Sequence, residues 1–195
     1  MAVAAVAALA AGLARCSQHT WVSIPALAYI DLFRGTSALV QLFWAYFALP
    51  LFGVKLDAMS VAIVVLGLNI GAYGAEVVRG AIQAVPVAQR EAAVALNFSE
   101  GQAMWRIILP QALFAMLPPL GNLLIELLKS TALVSLITLN DLTFQGQLLR
   151  SATLRSAEIF SLVLFLYFLG ALVITQGVRW LERRLAVGRD CGGLH

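Results

Sequence analysis

The 195 residues are 61% hydrophobic and 12% charged, with a mean hydropathy of +0.89, too little polar surface to solvate a globular domain of this size. The net charge of +3 rests on 13 basic residues, eleven of them arginines at the ends of apolar segments, a membrane-topology pattern rather than a nucleic-acid surface. Only two cysteines occur, Cys16 and Cys191, outside any metal-ligand spacing, so the chain has neither a disulfide framework nor a cysteine zinc site and both are expected as free thiols.

Long apolar runs separated by loops favour spanning helices over a barrel, whose strands would alternate polar and apolar residues. The expected fold is therefore all-α, a polytopic transmembrane helical bundle forming a single domain over residues 1–195. The first run, Ala2 to Ala14, reaches only about 20 Å as a helix. It reads as a signal-peptide core, an interfacial segment, or the second half of a spanning helix. The first reading lacks a positive n-region and is followed by Arg15-Cys16-Ser17, a poor cleavage site; the third, a truncated first span of five, is preferred. Four longer stretches follow, Ser37 to Phe52, Ala58 to Val78, Ile107 to Leu128 and Ile159 to Trp180, each able or nearly able to cross a hydrocarbon core of about 30 Å.

If the first run exits into the cytoplasm, Arg15, Arg34, Arg79, Arg90, Arg106, Arg179, Arg183, Arg184 and Arg189 fall inside. Only Lys55, Lys129, Arg150 and Arg155 fall outside or near the outer face, and this excess sets the orientation. Asn69, Tyr73 and Glu76 follow one another at i, i+4 and i+7 on one face, and Asn122, Glu126 and Lys129 form a similar stripe on the next span. Polar groups are costly in hydrocarbon, so such stripes face the bundle interior or an aqueous cavity. A structural alternative stays open for each: Glu76 pairs with Arg79, and Glu126 with Lys129, or Lys129 snorkels. Gly67, Gly71 and Gly74 are spaced for close helix packing, while Pro110, Pro118 and Pro119 are expected to kink their span.

Residues 84–106 form a polar island on the cytoplasmic side. Pro86 can open a helix, Ala92, Ala93, Ala95 and Leu96 are strong helix formers, and Asn97 tolerates a left-handed turn. Ser99 with Gln102 predicts a capping box for the helix that follows. A loop this long with its own helical order is uncommon without a role, and an amphipathic helix here suits a partner outside the bilayer. The tail, residues 187–195, reads as a frayed cytoplasmic end, where Cys191 and His195 are solvated rather than a metal pair. Lys129-Ser130 is not the end of a phosphate loop, because Leu123 and Leu128 stand where its glycines are needed.

Glu91-Ala92-Ala93, the turn at Asn97 and the segment Ile107-Ile108-Leu109-Pro110 resemble the Glu-Ala-Ala motif of bacterial ABC importer permeases. Asn97 replaces the usual glycine, and either Ile107 or Ile108 serves for the isoleucine. Arg34-Gly35-Thr36 with Val40-Gln41-Leu42-Phe43, the run from Ala72 to Gly80, Leu109-Pro110-Gln111-Ala112 and Pro118-Pro119-Leu120-Gly121-Asn122 look like polar amino acid permeases that handle His, Gln, Glu and Arg. That resemblance covers about Leu27 to Arg184. Asn97, the run Leu128 to Ile137 and Asp141-Leu142-Thr143-Phe144 are most similar to the ectoine/hydroxyectoine branch, although family members usually begin earlier and complete the first span.

The resemblance implies a type I ABC importer permease, a multi-pass subunit of the bacterial inner membrane that carries a polar amino acid or amino-acid-like compatible solute into the cytoplasm. It implies no enzymatic activity and no cofactor on this chain, with ATP and Mg on a partner ATPase. The implied partners are a cytoplasmic ABC ATPase dimer, a second permease copy or related permease, an extracytoplasmic solute-binding protein and the lipid bilayer, with no nucleic acid. Arg90, Glu91, Ala92, Ala93 and Asn97 would form the ATPase-coupling helix, its alanines allowing close docking and its charged pair forming interfacial ion pairs. Asn69, Tyr73, Glu76, Asn122, Glu126 and Lys129 are the candidate translocation pathway. The alternative is a secondary transporter or channel subunit working without an ATPase, in which the island is only a loop.

Overall fold

The computed structural model describes residues 1–17 and 19–186; the tail with Gly188, Arg189, Cys191 and His195 lies outside the described residues. All regular structure among the described residues is helical. The central element is α4 (Ala58–Gln83), whose 26 residues run about 39 Å and extend past the expected end at Val78. Asp57 caps it, accepting from the Ser60 amide at 3.2 Å and the Ser60 hydroxyl at 2.6 Å.

Helix α1 (Ala2–Arg15) lies along α4 through small residues: Gly67 faces Val3, Gly71 faces Ala7, Gly74 faces Ala8, and Gly12 faces Val78. A Cβ on Gly71 or Gly74 would stand 2.6 Å from the Cβ of Ala7 or Ala8, so hydrogen is the only substituent that fits. Both numberings rise together along this contact, so the two helices are parallel and Arg15 sits at the same end as Arg79. At 14 residues α1 is shorter than a span, yet it contributes Ala4 to the core formed with Leu42, Val61, Leu66, Leu127 and Ile137.

One element departs from the expected pattern. Helix α2 (Thr20–Gly35) is absent from the set of expected spans, and with Ala38–Phe52 it forms a pair bent by 102°, a broken span or a re-entrant loop of which the expected Ser37–Phe52 is only the second half. The second half comprises α3 (Ala38–Phe43), a π-turn at Trp44–Ala48 and a 3-10 turn at Leu49–Phe52.

Helix α5 (Val87–Ala95) and the short α6 (Glu100–Ala103) fill the polar island. A second π-turn, Met104–Ile108, leads into α7 (Leu109–Thr131), which continues through Pro118 and Pro119 to a 3-10 turn at Ala132–Ile137. Each π-turn closes on the leucine before a proline, Leu49-Pro50 and Leu109-Pro110. Proline has no N–H for the carbonyl four residues back and its ring collides with it; widening the preceding turn by one residue relieves both. Helix α8 (Leu142–Thr153) then packs on α9 (Ser156–Ala186), which also meets α7 through Gly121 against Val178. Among the described residues three helices are long and apolar enough to cross a membrane, and a fourth span is counted if the bent pair is taken as one.

Candidate functional site

The island folds as its sequence dictates. Asn97 takes the left-handed conformation at φ 59°, its amide and that of Phe98 closing α5 by donating to Val94 and Ala93 oxygens at 2.9 and 3.0 Å. Ser99 Oγ then accepts from the Gln102 amide at 3.3 Å, and Gln102 Oε1 accepts from the Ser99 amide at 3.0 Å, the reciprocal capping box. At about 100° per residue, Gln89, Arg90 and Ala93 share one face of α5, and Ala88, Glu91 and Ala95 the opposite one.

The inner face is tied to the bundle. Ala93 is only 1% exposed, Arg90 Nη2 donates to the Ile82 carbonyl at 3.0 Å, and Gln111 Nε2 of α7 donates to Gln89 Oε1 at 3.4 Å. On the outer face Glu91 is exposed together with Val87 and Val94, while Ala92 is exposed on the flank. Arg90 and Glu91 are both exposed and project about 100° apart, Arg90 bonded back to the end of α4 and Glu91 turned further from the bundle.

The stripe on α4 divides between two environments. Asn69 is buried, and its Nδ2 donates to the Phe33 carbonyl at 3.0 Å and to Gln41 Oε1 at 3.1 Å. Gln41 Nε2 donates to the same Phe33 carbonyl at 3.0 Å and to Thr36 Oγ1 at 2.6 Å. These side chains satisfy the carbonyl end of α2 at the bend, where the helix leaves its last carbonyls without intrahelical partners. Further along the helix, Glu76 accepts two hydrogen bonds from Arg79, at 3.1 and 2.8 Å, and lies 4.0 Å from Arg34, whose guanidinium stands 5.4 Å from the Tyr73 ring centroid. Arg34, Gln41 and Thr36 do not stand out in the sequence as site residues, because Arg34 reads as loop charge until α2 is known to place it beside α4.

The α7 stripe is different again. Asn122, Glu126 and Lys129 are all exposed on a face turned from both α4 and α9, and among the described residues Glu126 and Lys129 form no ion pair with each other. The same residues contain no group of three or more His, Cys, Asp or Glu placed to hold a metal ion.

Parallel small-residue packing, a bent helix pair and an amphipathic helix between spans define a multi-pass helical membrane protein, and the family match makes it a transport subunit of the inner membrane. The chain belongs to the family of binding-protein-dependent transport system inner membrane components, which matches residues 4–187, and is the non-catalytic permease component of an ABC system. It is similar to the probable amino-acid ABC transporter permease protein y4tF of Sinorhizobium fredii, 49% identical over 91% of this chain and 77% of that protein. The glutamine transport system permease protein GlnP of Escherichia coli is 39% identical over 93% of this chain and 84% of its own length. Among solved structures, an amino acid ABC transporter with histidines superposes with a TM-score of 0.88 at 36% identity, covering 94% of this chain and 86% of that one. The inward-facing methionine transporter MetNI shares the fold at a TM-score of 0.78 and 20% identity, covering 93% and 87%. Membership of this binding-protein-dependent family implies an ATPase and a binding protein as partners.

Proposed function

We propose that this chain is the pathway-forming subunit of an ATP-driven importer for a polar amino acid or an amino-acid-like compatible solute. The observation that carries this reading is the exposed stripe of Asn122, Glu126 and Lys129 on a membrane-spanning helix. Charged side chains on a spanning helix are costly against lipid, so Glu126 and Lys129, which have no ion-pair partner among the described residues, support a face covered by an aqueous path or a second permease copy. Tyr73 and Glu76, with Arg34 beside them, supply a second polar surface on α4. Groups of both signs suit a zwitterion, and the relatives named for amino acids and glutamine support that solute class.

The outer face of α5, with Glu91, Ala92 and the left-handed turn at Asn97, is the docking surface for the ATPase dimer, which would hold ATP and Mg. Ectoine and hydroxyectoine are the finer reading, supported by Asn97 and by residues 128–137 and 141–144 alone. The test is reconstitution of the permease with its cognate ATPase and binding protein, measuring uptake of glutamine, glutamate, histidine, arginine and ectoine. Uptake should require ATP and both partners; uptake by the permease alone would establish the channel or secondary-transporter alternative. Ectoine uptake without that of the amino acids would decide the finer reading.

A further inference from the structure

Arg90 is exposed, yet it makes a bond to its own bundle that an interfacial ion pair does not explain. It shares the inner face of α5 with Ala93, and its Nη2 donates at 3.0 Å to the carbonyl of Ile82. That carbonyl is among the last four of α4, which have no intrahelical partner, and a guanidinium there also meets the negative end of the helix dipole. The neighbouring Gln89 accepts from Gln111, in the first turn of α7, at 3.4 Å. Consecutive residues of one short helix are therefore bonded to the two helices that carry the polar stripes, and Ile82 lies about two turns from Glu76. The covalent connection between α4 and α5 is only Ala84-Val85-Pro86, pinned by the buried Val85 and, on α5 itself, by the buried Ala93; the Arg90 and Gln89 bonds restrain the remaining rotation of α5 about those two contacts.

We propose that Arg90 is a positioning residue, a strut that makes α5 and the end of α4 move as one body, with Gln89–Gln111 as the parallel link to α7. This rests on reading the outer face of α5 as the ATPase-docking surface. A displacement of α5 by the ATPase then reaches Glu76 and Tyr73 instead of being lost as rotation about the three-residue connection. Glu91, on the outer face, contacts the partner, and Arg90 conveys the motion.

The test uses the assembled transporter with its ATPase, spin-labelled through Gly80→Cys on α4 and Ala95→Cys on α5, in a background where Cys16 and Cys191 are replaced by serine. A Cβ on Gly80 would meet no atom within 4 Å, and Ala95 is exposed. In the otherwise unaltered transporter the distance distribution should stay narrow when ATP binds. Arg90→Ala should broaden or shift it on ATP binding while the ATPase still co-purifies, Arg90→Lys should restore most of the narrow population because an ammonium can donate to the same carbonyl, and Gln111→Leu should add to the Arg90→Ala effect. A distribution that stays narrow in Arg90→Ala overturns the strut, and so does loss of the ATPase from that variant, which would put Arg90 in the interface. Failure of the docking reading is seen separately: a thiol reagent would label Ala95→Cys in the assembled transporter as readily as in the permease alone.

Discussion

Replacing Asn69 by leucine tests whether the α4 stripe begins with a structural residue or a solute contact. The side chain is 6% exposed and gives two hydrogen bonds, 3.0 Å to the Phe33 carbonyl and 3.1 Å to Gln41 Oε1. Leucine has the same number and branching of side-chain heavy atoms and is somewhat bulkier, so no cavity forms. Two lost bonds at about 0.5–1.5 kcal/mol each set the upper range, and membrane-protein cycles average nearer ~0.6 kcal/mol, so the expected loss is about 1–2 kcal/mol. The Phe33 carbonyl keeps its 3.0 Å bond from Gln41 and is not orphaned, and Gln41 Oε1, which loses its donor, belongs to a half-buried side chain, so the full penalty for an unsatisfied buried group does not apply. Unfolding of the full chain in lipid nanodiscs would measure the loss. Spin labels through Trp21→Cys and Phe47→Cys, both exposed positions on the two arms of the 102° break, would report a wider spread of bend angles. Unchanged stability and an unchanged label distance, together with lost transport, would refute the capping account and place Asn69 in contact with solute.

Gly74→Leu should force α1 off α4, because its Cβ alone would stand 2.6 Å from that of Ala8; overpacking of this kind costs about 1–3 kcal/mol. Gly80→Ala, with open space around it, is the tolerated control in the same nanodisc unfolding measurement. Asn97→Val should destabilise the turn after α5 by about 1–2 kcal/mol, since a β-branched residue resists φ 59°, whereas Asn97→Gly should be neutral or better; protease sensitivity of the island reads the difference. The Ser60 hydroxyl and amide hold the Asp57 carboxyl below the usual aspartate range. Its folded value being the lower one, the cap contributes fully above the unfolded value of about 3.9 and is lost as pH falls through the folded value. Acid unfolding should therefore show a pH dependence of α4 stability that Asp57→Asn flattens.

What could be read in the sequence was local. Ser99 and Gln102 are three residues apart, the turn at Asn97 depends on one residue's backbone freedom, and Gly67, Gly71 and Gly74 keep helical spacing, so each was visible without knowledge of the fold. Helix α2 was not visible, because Pro25, Asp31 and Arg34 dilute its apolar run and its broken end is completed by Gln41 and Asn69, 8 and 36 residues away. The different surroundings of Arg90 and Glu91 were hidden for a similar reason. One residue along a helix is a rotation of about 100°, but which side faces the bundle depends on Ile82 and Gln111, which only the fold brings near. The α7 stripe was legible from spacing, while its exposure on an uncovered face was not.

The most direct test of the account is where the outer face of α5 lies and what covers it. With Ala95→Cys in a chain whose Cys16 and Cys191 are replaced by serine, a membrane-impermeant thiol reagent added outside intact cells should leave this position unlabelled, and a short thiol-to-amine cross-linker in inverted vesicles should join it to the ATPase. Labelling from outside, or an assembled and active transporter that yields no such adduct, would contradict the assignment of this helix as the ATPase-docking element.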